Sequence, residues 1–429
     1  MFGKRRFFFL AFAGFFIFFA GSAASQPLFI DLDKAIELAL ENDFSIKAAV
    51  SDVAIANEGR RQAHRSRSVT LRGEHSSTRM NDQVYGISVD SFQNVFSLSY
   101  PLYTGGRIEG SIAASEHELD AKILSLERSY QDVRLSVAAA FFNMLRAENM
   151  AELAAASVER LTAHARNVDA QYRNGKVVRS DLLRSEVELI NASQSMSKAE
   201  NDYRVALKNL NDVMGLPLET ELIFDKEMSY AAFPRSLDEC IEYALLHHTD
   251  IAIAELQKNK AEAGIVVERS AKRPNVTLSA SQTLRSPRDW PGLDAAQLEI
   301  GIHADYTFSD GGYAESKIRE ATENLNKADY NYESARDTVV LNVTKYFLTM
   351  EEAISRIDSG ATAIGFAQEA YRIALTRYEE GVGTNIDVLD AQDALNQSSS
   401  NHTQALCDYN IAVAQLISAM GVPAVLEGN

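Results

Sequence analysis

Apolar residues recur along one stretch of the chain with a period of three and a half. Alternate steps of four and three from Leu119 pass through Ile123, Leu126, Tyr130, Val133 and onward to Val168 and Tyr172, and all sixteen positions are apolar. A seam of that period and length predicts a coiled-coil helix. From Arg107 to Tyr172 it is about 100 Å long at 1.5 Å per residue. Alanines fill the middle of the seam, at Ala140, Ala147, Ala151 and Ala154, so the partner helix approaches closely. The run "RNGKVVRSD" (Arg173–Asp181) follows, and Asn174-Gly175 supplies a turn. A second seam returns through Leu182, Leu189, Met196, Tyr203 and Leu210 to Val213, with Gly215 and Pro217 beyond its end. This returning helix is about 50 Å long. The helix at Phe44–Arg67, about 36 Å long, covers most of the remainder, so two shorter helices lie end to end beside one long one.

Between the early helix and the long one the period changes to two. Strands are predicted near Val69–Thr78 and Phe92–Tyr103, and again near Asn275–Leu284 and Ala296–Phe308. In the last, Leu298, Ile300, Ile302, Ala304, Tyr306 and Phe308 alternate with Glu299, Gly301, His303, Asp305 and Thr307. Alternation over about ten residues, with a hairpin loop, suits a barrel strand with lipid on one side and water on the other. A half-buried soluble hairpin would show the same pattern. Gly105-Gly106 closes the first strand pair and Gly311-Gly312 the second. At each, a strand hands over to a helix, and glycine tolerates the backbone angles such a change of direction needs.

The recurrence is a duplication. Between Tyr172–Pro217 and Tyr378–Pro423, 206 residues apart, 14 of 46 positions are identical, which exceeds chance. The long-helix seam persists in the second copy at thirteen of sixteen positions, Asp329, Arg336 and Gly360 being the exceptions. "LDKAIELAL" at Leu32 matches "LDECIEYAL" at Leu237, and Asp250–Lys272 is the second early helix. The chain therefore divides into a first unit (25–217, with its β-hairpin at 69–103 and helical tip near 173–181), a linker (218–236), and a second unit (237–423, with its β-hairpin at 275–308 and tip near 379–387). A tail (424–429) follows. A period this long marks a duplicated half-molecule and not a solenoid. Four strands close no barrel, because barrels start at eight. Two copies would supply eight strands and three would supply twelve.

Composition narrows the class. Lys4, Arg5 and Arg6, an apolar run from Phe7 to Ala20, and then small residues form a secretory signal peptide (1–24). The following Ser25 offers no thiol for a lipid. No other stretch reaches the roughly 20 apolar residues of a membrane-spanning helix, so a span has to be a β-barrel. Loss of three basic residues with the signal takes the formal charge from −17 to −20. An acidic chain without a basic cluster argues against nucleic acid. Cys240 and Cys407 are too few for a disulfide framework and read as buried free thiols. No phosphate loop, metal set or nucleophile elbow occurs, so no enzyme, cofactor or metal site is expected.

Taken together, the duplicated unit, "AIELALENDFSIKAA", "YPLYTGGR" and the tip runs "YRNGKVVRSDLLRSEVEL" and "YEEGVGTNIDVLDAQDAL" resemble the TolC-type outer-membrane efflux channels over nearly the whole mature chain. The resemblance implies a mostly α fold with a β-barrel part. It implies a homotrimer whose twelve strands form one barrel in outer-membrane lipid, continuous with a long α-helical barrel in the periplasm. It further implies passive conduction, as the exit duct of a tripartite efflux or type I secretion system, with a periplasmic adaptor and an inner-membrane pump docking at the helical tip. The unlipidated N-terminus fits one branch of that family, and the six-residue tail is short.

Asp387 and Asp390 lie three apart in "NIDVLDA", on one helical face just past the second tip. They read either as helix-start carboxylates favoured by the macrodipole or, by the resemblance, as a gate narrowing the periplasmic mouth. In a trimer the gate would hold six carboxylates, whose crowding favours cations and raises some pKa values. The first copy keeps Asp181 but has Arg184 in the second position. Asn174, Gly175, Gly381 and Gly383 are turn residues and candidate adaptor contacts. His247-His248 reads as surface, Trp290 as a loop or interfacial aromatic, and "NVT" at Asn275 and Asn342 as a chance match. The competing function is a soluble periplasmic coiled-coil adaptor or scaffold, which has no need of four alternating strands.

Overall fold

The computed structural model describes residues 28–82, 87–224, 228, 230, 233–286 and 296–423. The signal-peptide segment, Trp290 and the tail 424–429 lie outside the described residues. The first unit runs β1 (Leu28–Ile30), α1 (Leu32–Asn42), α2 (Phe44–Arg65), β2 (Thr70–Asp82), β3 (Ile87–Tyr103), α3 (Arg107–Arg173) and α4 (Arg179–Val213). The second runs β4 (Leu222–Phe224), α5 (Leu237–His247), α6 (Thr249–Arg269), β5 (Asn275–Ser286), β6 (Ala296–Asp305), α7 (Tyr313–Glu379) and α8 (Asn385–Ala419). Both long helices have 67 residues, and both returning helices have 35.

The centres of the two cores repeat at equivalent positions. In the first, Val133, Val137, Phe141 and Met144 of α3 meet Leu210 and Met214 at the end of the returning helix. In the second, their 206-residue counterparts Val339, Val343, Phe347 and Met350 meet Leu416 and Met420. Cys240 is buried in the second core, and Cys407 is buried against the Phe142 carbonyl; both are free thiols. Of the α3 seam, Ile123 and Tyr172 are exposed and the remainder is buried or half-buried. Helix α3 packs on α2 and α4 on one side and on α6 and α8 on the other, and α7 packs on α6 and α8 beyond. Exposed apolar side chains therefore mark two opposite margins of the helical layer: Val187, Ile190 and Val205 on α4, and Leu341, Leu348, Phe366 and Ile373 on α7.

The four long strands form one antiparallel sheet in the order β2-β3-β5-β6. Its register collects Leu71, Phe96, Leu98, Leu278, Ala280, Ile300 and Ile302 on one face. The other face carries Arg72, Glu74, Ser97, Ser279, Ser281, Glu299 and His303. This alternation is the period-two pattern of the sequence. The first three strands run longer than expected, but β6 stops at Asp305 and not Phe308. Asp305 pairs with Asn275, the first residue of β5, and Pro274 before it has no N–H to extend the ladder. Tyr306 and Phe308 lie beyond the strand, rings edge to face at 4.9 Å between centroids.

His248 corrects the surface reading of the histidine pair. His247 is exposed, but His248 is 5% exposed and caps α6, its ring nitrogen accepting from the Asp250 N–H at 3.1 Å. Burial lowers its pKa, although Asp250 opposes the shift. In the first unit Asp43 does the same capping, accepting from the Ser45 and Ile46 N–H groups. The two short-helix junctions sit on the ends of the returning helices. Gly215 and Gly421 close α4 and α8 at φ +68° and +71°. A Cβ on Gly215 would lie 2.6 Å from Asn42 Cβ, and one on Gly421 would lie 2.7 Å from His248 Cα.

Gly215→Ala therefore combines left-handed strain of about 1–2 kcal/mol with overpacking of about 1–3 kcal/mol. Gly175→Ala, at φ +69° with nothing within 4 Å of its Cβ, meets the strain alone. Chemical denaturation should rank Gly215→Ala clearly below Gly175→Ala; equal losses would refute the packing argument.

Candidate functional site

The two hairpin tips differ although the units are copies. At the first, the Asn174 amide donates to the Ala170 carbonyl at 2.8 Å, and Gly175 supplies the left-handed turn. Helix α4 then starts at Val178 without a side-chain cap. At the second, Gly381 turns the chain at φ +77°, and the Val382 and Gly383 N–H groups both donate to the Arg377 carbonyl at 2.9 Å. Thr384 and Asp387 form a reciprocal capping box: the Thr384 N–H donates to Asp387 Oδ2 at 3.0 Å, and the Asp387 N–H donates to Thr384 Oγ1 at 3.3 Å. The backbone hydrogen bond from Thr384, with its hydroxyl, lowers the Asp387 pKa. Within one chain Asp387 is thus a helix-start carboxylate whose charged form is favoured. The residue with a raised pKa lies one and a half turns on. Burial, then the carboxylates of Glu188 and Asp390, raise Asp393. Asp387 and Asp390 are both exposed, and Asp181 is half-buried on α4.

One residue ties the two hairpins together. Asn385, 4% exposed, receives His164 Nε2 at 2.6 Å and the Ser185 hydroxyl at 3.1 Å on its Oδ1. Its Nδ2 donates to the Asp181 carbonyl at 3.0 Å. Helices α3, α4 and α8 meet at this amide, and Tyr378 of α7 lies against the His164 ring at 5.2 Å between centroids. Burial lowers the His164 pKa, although Asn385 and Glu379 oppose it. Farther up the same face, Arg160 donates to Gln392 and Asn396 at 3.0 Å each, Asn396 donates to Ser157 at 2.9 Å, and Arg146 donates to Gln404 at 3.0 Å. Helices within a hairpin are joined by apolar seams, whereas α3 and α8 are joined by amides, hydroxyls and guanidinium groups above an apolar contact of Val168 with Val388. The candidate gate residues sit at the foot of that polar seam. None of its members was singled out from the sequence. The signal was faint: Asn385 stands where the first copy has Arg179, and Ser157, Arg160 and His164 share a helical face that reads as solvated.

The junction glycines lie at the far end of the long helices. Gly105 and Gly106 have φ +66° and +97°, and Gly311 and Gly312 have +66° and +90°. Among the described residues no helix is long and apolar enough to cross a membrane, and no group of three or more His, Cys, Asp or Glu could hold a metal ion.

This arrangement, two helical hairpins on a four-stranded sheet, is shared with known proteins. The model of the outer membrane efflux protein family matches residues 35–216 and 240–422, one match per unit. The chain belongs to that family. It is an outer-membrane protein with its helices in the periplasm, as in the family's channels, and a soluble adaptor is not favoured. Outer membrane efflux protein BepC of Brucella suis is 23% identical over 76% of this chain and 71% of its own length. Cobalt-zinc-cadmium resistance protein CzcC of Cupriavidus metallidurans is 24% identical over 87% and 85%. The crystal structure of the channel-forming CusC superposes with a TM-score of 0.81 at 18% identity, covering 92% of this chain and 93% of that one.

Asn385→Ala leaves the buried His164 Nε2 without its partner, while the Asp181 carbonyl keeps the Ser185 hydroxyl. An unsatisfied buried polar group costs about 1–3 kcal/mol, so amide hydrogen exchange across both tips should quicken. The pH dependence has a definite sign. A buried His with a lowered pKa binds its proton more weakly than when exposed, so its contribution is full above about pH 6.5 and is lost as pH falls through the lowered value. Tip protection factors, taken against the intrinsic exchange rate at each pH, should fall on going from pH 7.5 to 5.5, and His164→Gln should flatten that response. Protection factors indifferent to pH in the parent protein would contradict it.

Proposed function

We propose that three copies of this chain close into one continuous duct, with twelve strands as a barrel in the outer membrane and the helices as a tunnel through the periplasm. The observation that carries this reading is that both margins of the chain are open at once. In the sheet, β2 and β6 each pair on one side only within the chain. In the helical layer, α4 and α7 expose apolar residues at the two opposite margins. The open margins are different surfaces, so each joins the other margin of the next copy in a head-to-tail contact that closes as a ring. Substrates pass through passively: small molecules, drugs or secreted proteins handed over by an inner-membrane pump. A periplasmic adaptor docks at the tips, on the turns of Asn174, Gly175, Gly381 and Gly383, where Val178, Val382 and Ile386 are exposed. The family membership and the relatives named for efflux and metal resistance support this reading.

In the closed ring Asp387 and Asp390 supply six carboxylates at the periplasmic mouth, with Asp181 beside them. At a Debye length of about 8 Å in physiological salt, charges crowded around one axis are incompletely screened, so the mouth selects cations. Asp387→Asn with Asp390→Asn removes the charge while leaving an oxygen for the Thr384 N–H. In planar bilayers the double variant should lose cation selectivity and block by multivalent cations, with conductance raised. Asp181→Asn should have the smaller effect, because Arg184 already offsets that carboxylate. A double variant that assembles and keeps the parent's selectivity would leave Asp387 as a helix cap and move the gate elsewhere.

A further inference from the structure

The acidic chain carries two runs of basic residues at equivalent places. "RRQAHRSRS" (residues 60–68) holds four arginines and "RSAKRPN" (269–275) three basic residues, neither with an acid. Each run ends an early helix and leads into the first strand of a hairpin, and Arg67 and Arg273 are 206 residues apart. Arg65 and Arg269, in the last turns of α2 and α6, complement the helix dipoles. Arg67, Lys272 and Arg273 lie past the α-helices, where that explanation weakens. All five are exposed. Glu109 holds Arg67 at 3.2 Å, and Glu315 holds Lys272. Arg273 donates to the Gly105 carbonyl at 3.0 Å, and Arg65 and Arg269 have no carboxylate partner among the described residues. Arg67 and Arg273, one from each unit, line a single cleft of about 370 Å³ with Tyr100, Tyr103 and Thr104, beside the Arg67–Glu109 pair.

The level of this cleft is marked independently. Tyr100, Tyr103, Tyr306 and Phe308 are exposed at the helix-proximal ends of the strands, Phe308 at 92%. Aromatic belts of this kind settle at the membrane–water interface. The cations just below the belt are then at headgroup depth, on the periplasmic side. Guanidinium groups bind phosphate with paired donors, and Leu102 and the tyrosine rings offer apolar surface to the first segment of an acyl chain.

We propose that the Arg67–Arg273 cleft and the arginines around it bind anionic phospholipid headgroups of the periplasmic leaflet, fixing the depth of the sheet in the membrane. This rests on the reading that the sheet crosses the bilayer. A basic residue near a charged bilayer surface favours binding about fivefold, so several together produce a marked preference for phosphatidylglycerol over phosphatidylcholine.

The test is native mass spectrometry of the purified protein from micelles holding the two lipids in equal amount. The parent should retain phosphatidylglycerol at least fivefold over phosphatidylcholine, and excess inorganic phosphate should not remove it. Arg65→Gln with Arg269→Gln, which breaks no ion pair among the described residues, should reduce the preference severalfold, and adding Arg273→Gln should abolish it. Lys198→Gln with Lys345→Gln, away from the sheet, should leave it intact. Equal retention of both lipids by the parent, displacement by free phosphate, or an unchanged preference in the triple variant would overturn the proposal. Bilayer conductance of the same sample separates the two readings. A protein that conducts but shows no lipid preference loses only the lipid site, whereas one that never inserts loses the membrane span itself.

Discussion

Backbone hydrogen bonding dictates what this chain has to do. Every N–H and C=O in hydrocarbon needs a partner, and an open sheet edge leaves a row of them without one. The four strands pair through three ladders, with one irregularity at Pro101–Tyr103, yet β2 and β6 remain edges. Duplication does not remove that difficulty, because two joined hairpins still end in two edges. Only further copies do. The helical layer repeats the problem in another form, with apolar residues on α4 and α7 that a single chain leaves in water. The proposed ring of copies answers both.

The duplication also explains where the units have diverged. The centres of their cores are equivalent, since each must seat a short helix pair on a long hairpin. Their tips are not. Thr384 and Asp387 cap α8, while α4 begins at an uncapped valine, and Asn385 reaches across to His164, Ser185 and the Asp181 backbone. Apolar seams make each hairpin a stiff unit, and directional polar contacts join one hairpin to the other.

Much of this was legible in the sequence, and for a physical reason. A seam repeated sixteen times, strict alternation in β6 and paired glycines are signals set by local geometry. The second contact face of α3 was not legible. A helix packed on two sides carries two stripes, and a polar stripe of Ser157, Arg160 and His164 is indistinguishable from a solvated one until its partners on α8 are known. His248 was hidden for a related reason: a histidine cap is buried by the turn of the returning helix at Gly421, 173 residues away. The strand pattern overshot at Tyr306 and Phe308 because alternation records facing, whereas the ladder ends where Pro274 withdraws a donor. At the candidate gate, the Thr384-to-Asp387 spacing was already a capping box, so the sequence supported the helix-start reading as fully as the pore reading.

The central claim is that one chain is one third of a closed duct. Light scattering of the protein purified in mild detergent, corrected for bound detergent, tests it most directly. A particle of three protomers, 47.3 kDa each before removal of the signal peptide, is the predicted result. A stable monomer, soluble without detergent, would contradict both the barrel and the tunnel.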